Sequence, residues 1–208
     1  MPQQEQAVGH TDGGTVTASV GPGPDPRPLT REPLCLDLLN TRWHDRHGRH
    51  DLLTDLAGLA LWLAGSHAAP AFHDGELRAD RPTLDVARQA RAALAGVVGG
   101  RPDATGLAAF NRILAPGRIR RTLTPDGPAE YVEVDEPQHR LGWLAGTDYL
   151  RLLTEDPDRI RPCATLGCGL YFYDASRNGT RRWCTRTGCG NRARVARHYA
   201  ARASRAAP

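Results

Sequence analysis

Hydrophobic residues along this chain change their period several times, and each change predicts a different element. Residues 1–30 are rich in Gly, Pro, Thr, Gln and Asp, close on a Pro-rich run from Gly21 to Pro28, and hold almost nothing large to bury. That composition predicts a flexible tail. From Leu34 the run Leu34-Cys-Leu-Asp-Leu-Leu39 opens an apolar element, and Leu52, Leu53, Leu56, Leu59, Leu61 and Leu63 recur at helical spacing, which predicts a helix over residues 51–64. Residues 83–98 set Leu84, Ala87, Ala90, Leu94 and Val97 on one side of a helical projection, with Asp85, Arg88 and Gln89 opposite. This is an amphipathic helix. Asp103 supplies an N-cap for another, which runs through Leu107, Phe110, Ile113 and Leu114 to a stop at Pro116-Gly117.

The period then falls to two. Residues 118–123 and 130–134 alternate on either side of Pro125-Asp126-Gly127-Pro128, whose turn chemistry predicts an antiparallel hairpin. Leu141 to Leu153 returns to a helical pattern that Pro157 ends. The reading is an α+β chain with a mainly helical N-terminal domain over residues 31–158 that carries a small antiparallel hairpin. Residues 159–208 follow as a separate unit.

Charge separates the same two parts. All 27 basic residues are Arg, and residues 159–208 hold 11 of them against the single acid Asp174, leaving 16 Arg and 22 of the 23 acids in residues 1–158. The net charge of +4 therefore hides an acidic part and a strongly basic one. Absence of Lys alongside abundant Ala, Gly and Pro fits a G+C-rich coding bias, so the placement of Arg carries more meaning than its number. The longest apolar run, Leu56 to Gly65, is about half of what a membrane-spanning helix needs, and the polar N-terminus lacks the basic start and apolar core of a secretory signal. A cytoplasmic protein with no membrane partner is expected.

In such a reducing compartment, clustered cysteines point to a metal rather than to disulfides. Four residues lie between Cys163 and Cys168, fifteen between Cys168 and Cys184, and four between Cys184 and Cys189. Two short-spaced pairs joined by such a loop predict one closed tetrathiolate structural zinc site. Metal binding would then supply folding free energy to an Arg-rich segment too poor in large apolar side chains to fold by burial. Cys35, far away in an apolar run, reads as a core residue. Between the pairs, Leu170 to Tyr173 and Thr180 to Trp183 are expected to form a hairpin around the turn Ser176-Arg-Asn-Gly179. A helix over residues 193–203 follows, with Val195, Tyr199 and Ala203 expected to pack on that hairpin. Knuckle, hairpin and helix in this order make a treble-clef zinc finger.

The segments Cys163-Ala-Thr-Leu-Gly-Cys168, Phe172-Tyr-Asp174, Ser176-Arg-Asn-Gly179, Arg181-Arg-Trp-Cys184 and Cys189-Gly-Asn-Arg192 closely resemble the CGNR-type zinc finger. Upstream, Leu34-Cys-Leu-Asp-Leu-Leu-Asn-Thr41, Asp51 to Leu56 and Trp62-Leu63 look like the ABATE domain that commonly precedes this finger. The resemblance implies a stress-linked transcription regulator whose finger binds DNA. Independently, Arg177, Arg181, Arg182, Arg186, Arg192, Arg194 and Arg197 surround the zinc ligands, and guanidinium groups make bidentate contacts to phosphate and to the guanine edge. These seven are the expected nucleic-acid contacts. Trp183 and Tyr171 either stack on bases or form the finger's own core.

Three further readings compete for the chemistry. His44, His47 and His50 with Asp45 and Asp51 form either a second metal or acid/base cluster or a polar loop, and the interposed Gly48, Arg46 and Arg49 favour the loop. Asp37, Asn40 and Thr41 mark a pocket edge or a capped helix end. Asn191 and His198 evoke an HNH-type nuclease, but four cysteines leave no open metal position for catalysis. No phosphate loop, dinucleotide fingerprint or nucleophile motif is present. A non-enzymatic DNA-binding regulator is expected, with the N-terminal domain sensing an unidentified ligand or protein partner. The alternative is a ligand-binding protein or small-molecule enzyme whose finger is structural or an RNA- or protein-interaction module.

Overall fold

The structure is a computed structural model that describes residues 24–45, 47–65 and 77–206. Residues 1–23 of the expected tail lie outside the described residues. Residues 24–30 do not follow the tail expectation, because Arg27 and Leu29 are buried. Arg27 donates to the Asp37 carboxylate at 3.0 Å and to the Asp37 carbonyl at 3.1 Å, while the Trp62 indole donates to the same carboxylate at 2.8 Å. A buried Arg is tolerated only when paired in this way.

Helix α1 is Leu34–Leu39, followed by an antiparallel pair of short strands, β1 Arg42–Asp45 and β2 Gly48–Asp51. This hairpin replaces the polar loop of the sequence reading. Its alternation is weak because one turn of apolar content, Trp43, does the packing: the Trp43 and His50 rings stack at 4.9 Å across the ladder. The helix expected over residues 51–64 is split. A 3-10 turn at Leu52–Thr54 comes first, and α2 starts only at Leu56–Gly65, since Asp55 is extended and its carboxylate accepts from the Gly58 N–H as an N-cap.

Helix α3, Arg81–Ala95, is capped by Asp80, and α4, Ala104–Leu114, by Asp103, whose carboxylates accept from the third N–H of each helix. Strands β3 Gly117–Thr124 and β4 Gly127–Val134 form the expected hairpin, in register from Gly117 opposite Val134 to Thr124 opposite Gly127. Gly127 takes φ +115°, a conformation that side chains rarely adopt. Helix α5, His139–Glu155, is the hub, packing on α1, α3 and α4. It buries Leu141, Ala145, Tyr149 and Leu152. At Gly146 an added Cβ would come within 2.8 Å of Leu114, so the two helices meet closely there.

Beyond α5 the chain forms β5 Ile160–Pro162, β6 Tyr171–Tyr173 and the terminal helix α6 Asn191–Ala206. One buried cluster runs from Leu36 and Leu38 of α1 through Leu170 and Phe172 to Cys168, Cys184 and Cys189. The four-cysteine segment therefore shares its core with the helical domain. About half of the described chain is helical, with small antiparallel hairpins, as the α+β reading requires. No helix among the described residues is long and apolar enough to cross a membrane.

Candidate metal centre and nucleic-acid surface

Local hydrogen bonding brings the first cysteine pair together. Strands β5 and β6 pair antiparallel, Ile160 opposite Tyr173 and Pro162 opposite Tyr171, and the segment joining them is the knuckle that holds Cys163 and Cys168. The Cys163 N–H donates to the Leu170 carbonyl at 2.8 Å, and the Cys168 N–H to the Thr165 carbonyl at 3.1 Å. The ladder therefore spans the first pair. The hairpin expected between the two pairs is a correction: residues 180–183 are not a strand. Asp174 explains why. Its buried carboxylate accepts from the Ser176 N–H, the Ser176 hydroxyl and the Arg181 N–H, closing the segment 174–181 as a loop around one acid instead of along a ladder. Burial opposes ionisation of Asp174, but these hydrogen bonds and nearby Arg161 outweigh it and hold the carboxyl below the ordinary carboxylate range.

Of the second pair, Cys184 precedes and Cys189 lies within a tight turn, Arg186–Gly190, where the Thr185 hydroxyl accepts from Gly188 N–H and the Thr185 carbonyl accepts from Gly190 N–H. Both glycines beside Cys189 leave little room for a side chain, Gly188 the less of the two. An added Cβ would lie 2.6 Å from the Thr185 hydroxyl at Gly188 and 3.2 Å from the Thr185 carbonyl at Gly190.

The four thiols converge. All four Sγ atoms lie within 4.8 Å of one another, and the measured edges are 3.7 Å for Cys168–Cys184, 3.4 Å for Cys184–Cys189 and 3.6 Å for Cys168–Cys189. A tetrahedron with metal–sulfur bonds of about 2.3 Å has sulfur–sulfur edges of roughly 3.8 Å. The donor set thus fits one structural zinc ion held by Cys163, Cys168, Cys184 and Cys189, with no position left for water. Zinc would supply cross-linking there and no reaction. The hydrogen bond from the Cys184 thiol pulls Cys168 down to about 5, against the opposing effect of burial. Around the sulfurs, the Cys184 N–H donates to Cys163 Sγ at 3.4 Å and the Arg192 guanidinium donates to Cys189 Sγ at 2.9 Å. Such donors to metal-bound thiolates spread their negative charge.

The seven expected arginines divide. Arg177, Arg182, Arg186, Arg192, Arg194 and Arg197 are exposed, and so is Arg202. None of these exposed groups has an acidic partner among the described residues. Arg181 is turned inward. Its guanidinium donates to the Cys184 carbonyl at 2.6 Å and the Trp183 carbonyl at 3.1 Å, pairs with Glu32 at 2.9 Å, and lies over the Phe172 ring. Trp183 is half-buried, with Arg182 and Arg197 over its ring. Val195 and Tyr199 do not pack on a hairpin as expected: they are 46% and 67% exposed, and α6 presents an Arg-rich surface free of acids.

Other sequence candidates are placed elsewhere. His50 bonds Asp45 at 2.8 Å, and no second group of metal-ligating side chains converges among the described residues. Cys35 is fully buried, and burial pushes its thiol far up. His198 is exposed on α6, away from any open metal position. Asn40 proves to be a joint. Its side-chain amide donates to the Tyr171 carbonyl at 2.8 Å and accepts from the Tyr171 N–H at 2.9 Å, as a neighbouring strand would. Glu32 makes the companion contact by accepting from the Tyr173 N–H at 2.9 Å. A polar residue in an apolar run was the only signal for Asn40, and nothing in the sequence linked it to residue 171.

Two family models match the chain. Residues 159–202 match the CGNR zinc finger. Residues 32–156 match ABATE, described as "Putative stress-induced transcription regulator". No curated protein gives a significant match. With well over half of its length covered by that second model and a four-thiolate centre behind it, the chain belongs to the ABATE family and carries a CGNR zinc finger.

Proposed function

We propose that the protein is a DNA-binding transcription regulator in which the zinc-pinned finger holds duplex DNA and the helical domain senses a ligand or partner. The observation that carries this is the exposure, without acidic partners among the described residues, of Arg177, Arg182, Arg186, Arg192, Arg194, Arg197 and Arg202, while the finger's one acid is buried. A protruding helix with Arg along its surface has the dimensions and charge to enter a major groove. Arg181 supports this surface from beneath and is not a contact in this reading. A reducing, cytoplasmic compartment suits both the thiolate centre and access to DNA. No catalytic role is assigned to any residue.

Genomic DNA selection with the zinc-loaded protein tests the proposal. A recovered sequence motif, with a gel shift abolished by chelation and by Cys184→Ser, is the expected result. A shift unchanged by both treatments overturns it. If six arginines meet phosphates, log affinity falls with log salt at a slope of about −5.

A second reading has one observation in its favour. The finger shares its core with the helical domain, so it suits a structural or RNA- or protein-interaction role in a ligand-binding protein or small-molecule enzyme. Binding of duplex RNA in preference to DNA, or turnover of a bound small molecule, would select that reading.

A further inference from the structure

Outside the finger, a cleft of ≈ 510 Å³ opens between α3, α4 and α5. Its size falls in the range of small-molecule sites, whereas the ≈ 150 Å³ cavity between the β1–β2 hairpin and the cysteines is below it. Small side chains open the cleft: Ala92, Ala93, Ala109 and Gly142 stand where helices packed this closely would otherwise interdigitate. Val86 and Ile113 complete an apolar lining.

Three polar side chains break that lining, one from each helix: Gln89 from α3, Arg112 from α4 and His139 from the first turn of α5. The His139 Nδ1 is buried and has no hydrogen-bond partner. An unsatisfied buried nitrogen is unfavourable, and a ligand group that reached it would satisfy it. Arg112 has no acidic partner among the described residues, in a domain where arginine is commonly matched to a carboxylate. A guanidinium, an amide and an imidazole around one apolar space have in common the recognition of an anionic oxygen.

We infer that this cleft binds a small organic acid, its carboxylate received by Arg112, Gln89 and His139 and its apolar body lying against Val86, Ala109 and Ile113. The inference rests on the sensing role proposed for the helical domain and names its ligand class. A route to the finger is present. Helix α3 packs on α1, α1 packs on β6, and Asn40 at the end of α1 is bonded to Tyr171. An occupant that shifts α3 would act on the finger through that chain of contacts.

The test is calorimetric titration of the zinc-loaded full chain with octanoate, decanoate, phenylacetate and 2-naphthoate, each beside its neutral amide. At least one acid should bind. Its amide should bind about tenfold more weakly or worse, as should the acid to Arg112→Gln, whose exposed position leaves folding intact. Ala109→Phe should fill the cleft and abolish binding, with the parent's circular dichroism retained as the check on folding. Failure of every acid to bind, equal affinity for acid and amide, or parental affinity in Arg112→Gln would each overturn the inference. The same samples are then mixed with selected DNA. Acid binding that leaves DNA affinity unchanged would remove the sensing role while the site stands, so the two failures are distinguishable.

Discussion

The helical domain and the finger use the same residue, arginine, in opposite ways. In the helical domain arginines are commonly matched to acids: Arg91 meets Asp51 at 2.6 Å, Arg121 meets Glu130 at 2.7 Å, Arg151 meets both Asp148 and Glu155 at 2.7 Å, and Arg120 pairs with Glu133. In the finger the exposed arginines have no acidic partner among the described residues, although Arg192 donates to Cys189 Sγ and Arg182 and Arg197 lie over the Trp183 ring. The difference teaches that arginine count says little about partners and that pairing says much, because a matched guanidinium has already spent its hydrogen-bonding capacity on the protein itself. A second contrast concerns cohesion. The helical domain is held by buried Leu, Trp and Ala side chains, while the finger adds a metal to a small share of a common core.

Removing the metal should break that second contrast most strongly. Apparent zinc-binding free energies in finger peptides are about 10–16 kcal/mol. Chelation or Cys184→Ser should therefore collapse the amide spectrum of residues 159–202 while much of the helical signal of α3 and α5 persists. Retention of a dispersed finger spectrum without zinc would refute metal-dependent folding.

The shared core can be tested at its joint. Asn40→Ala leaves the N–H and carbonyl of Tyr171 without their partners, at a cost of about 3 kcal/mol in urea denaturation. If the finger were independent, that substitution would leave stability near the parent's.

Pairing is tested next. Replacing Arg186, Arg194 and Arg197 with Ala should lower the salt slope of DNA binding by about 3 and weaken affinity uniformly across sequences. The same number of arginines removed from the β3 hairpin, Arg118, Arg120 and Arg121, should leave both quantities unchanged. Equal losses from the two triple variants would dissolve the distinction between matched and unmatched arginine.

The smallest effect belongs to a surface pair. Glu133 is held below the ordinary carboxylate range by its hydrogen bond with Arg120, with a further contribution from Arg118. A depressed folded pKa stabilises above the unfolded value and is lost as pH falls through the folded one. The melting difference between parent and Glu133→Gln should thus be small at neutral pH, because the pair is solvent-screened, and should shrink on acidification. A difference that grows with acid would show the sign to be wrong.

Much of this architecture was legible before any coordinate. Asp103 is the cap its place before a periodic apolar run predicts, and the turn at Asp126-Gly127 sets the β3–β4 register, because these signals act within a few residues. The zinc ligands were legible for a different reason, since thiolate spacing is dictated by the metal's geometry. What escaped was nonlocal. The β1–β2 hairpin depends on Trp43 stacking over His50 rather than on alternation. The missing strand at 180–183 depends on Asp174 drawing three donors inward. Arg181 looked like a surface cation because its acidic partner, Glu32, lies 149 positions away. Only the folded chain places the uncommitted His139 and Arg112 on one cleft.

The bond between Asn40 and Tyr171 joins residues 131 positions apart. During synthesis the ribosome therefore releases α1 with the Asn40 amide unmatched, and it must wait for most of the remaining chain before β6 arrives to pair with it. Assembly of the finger against α1 is consequently a late event with a high loop-closure cost. A chain interrupted after α5 would have α1 packed on α3 and α5 but the Asn40 amide still open, and zinc supply would set how soon the finger closes on it.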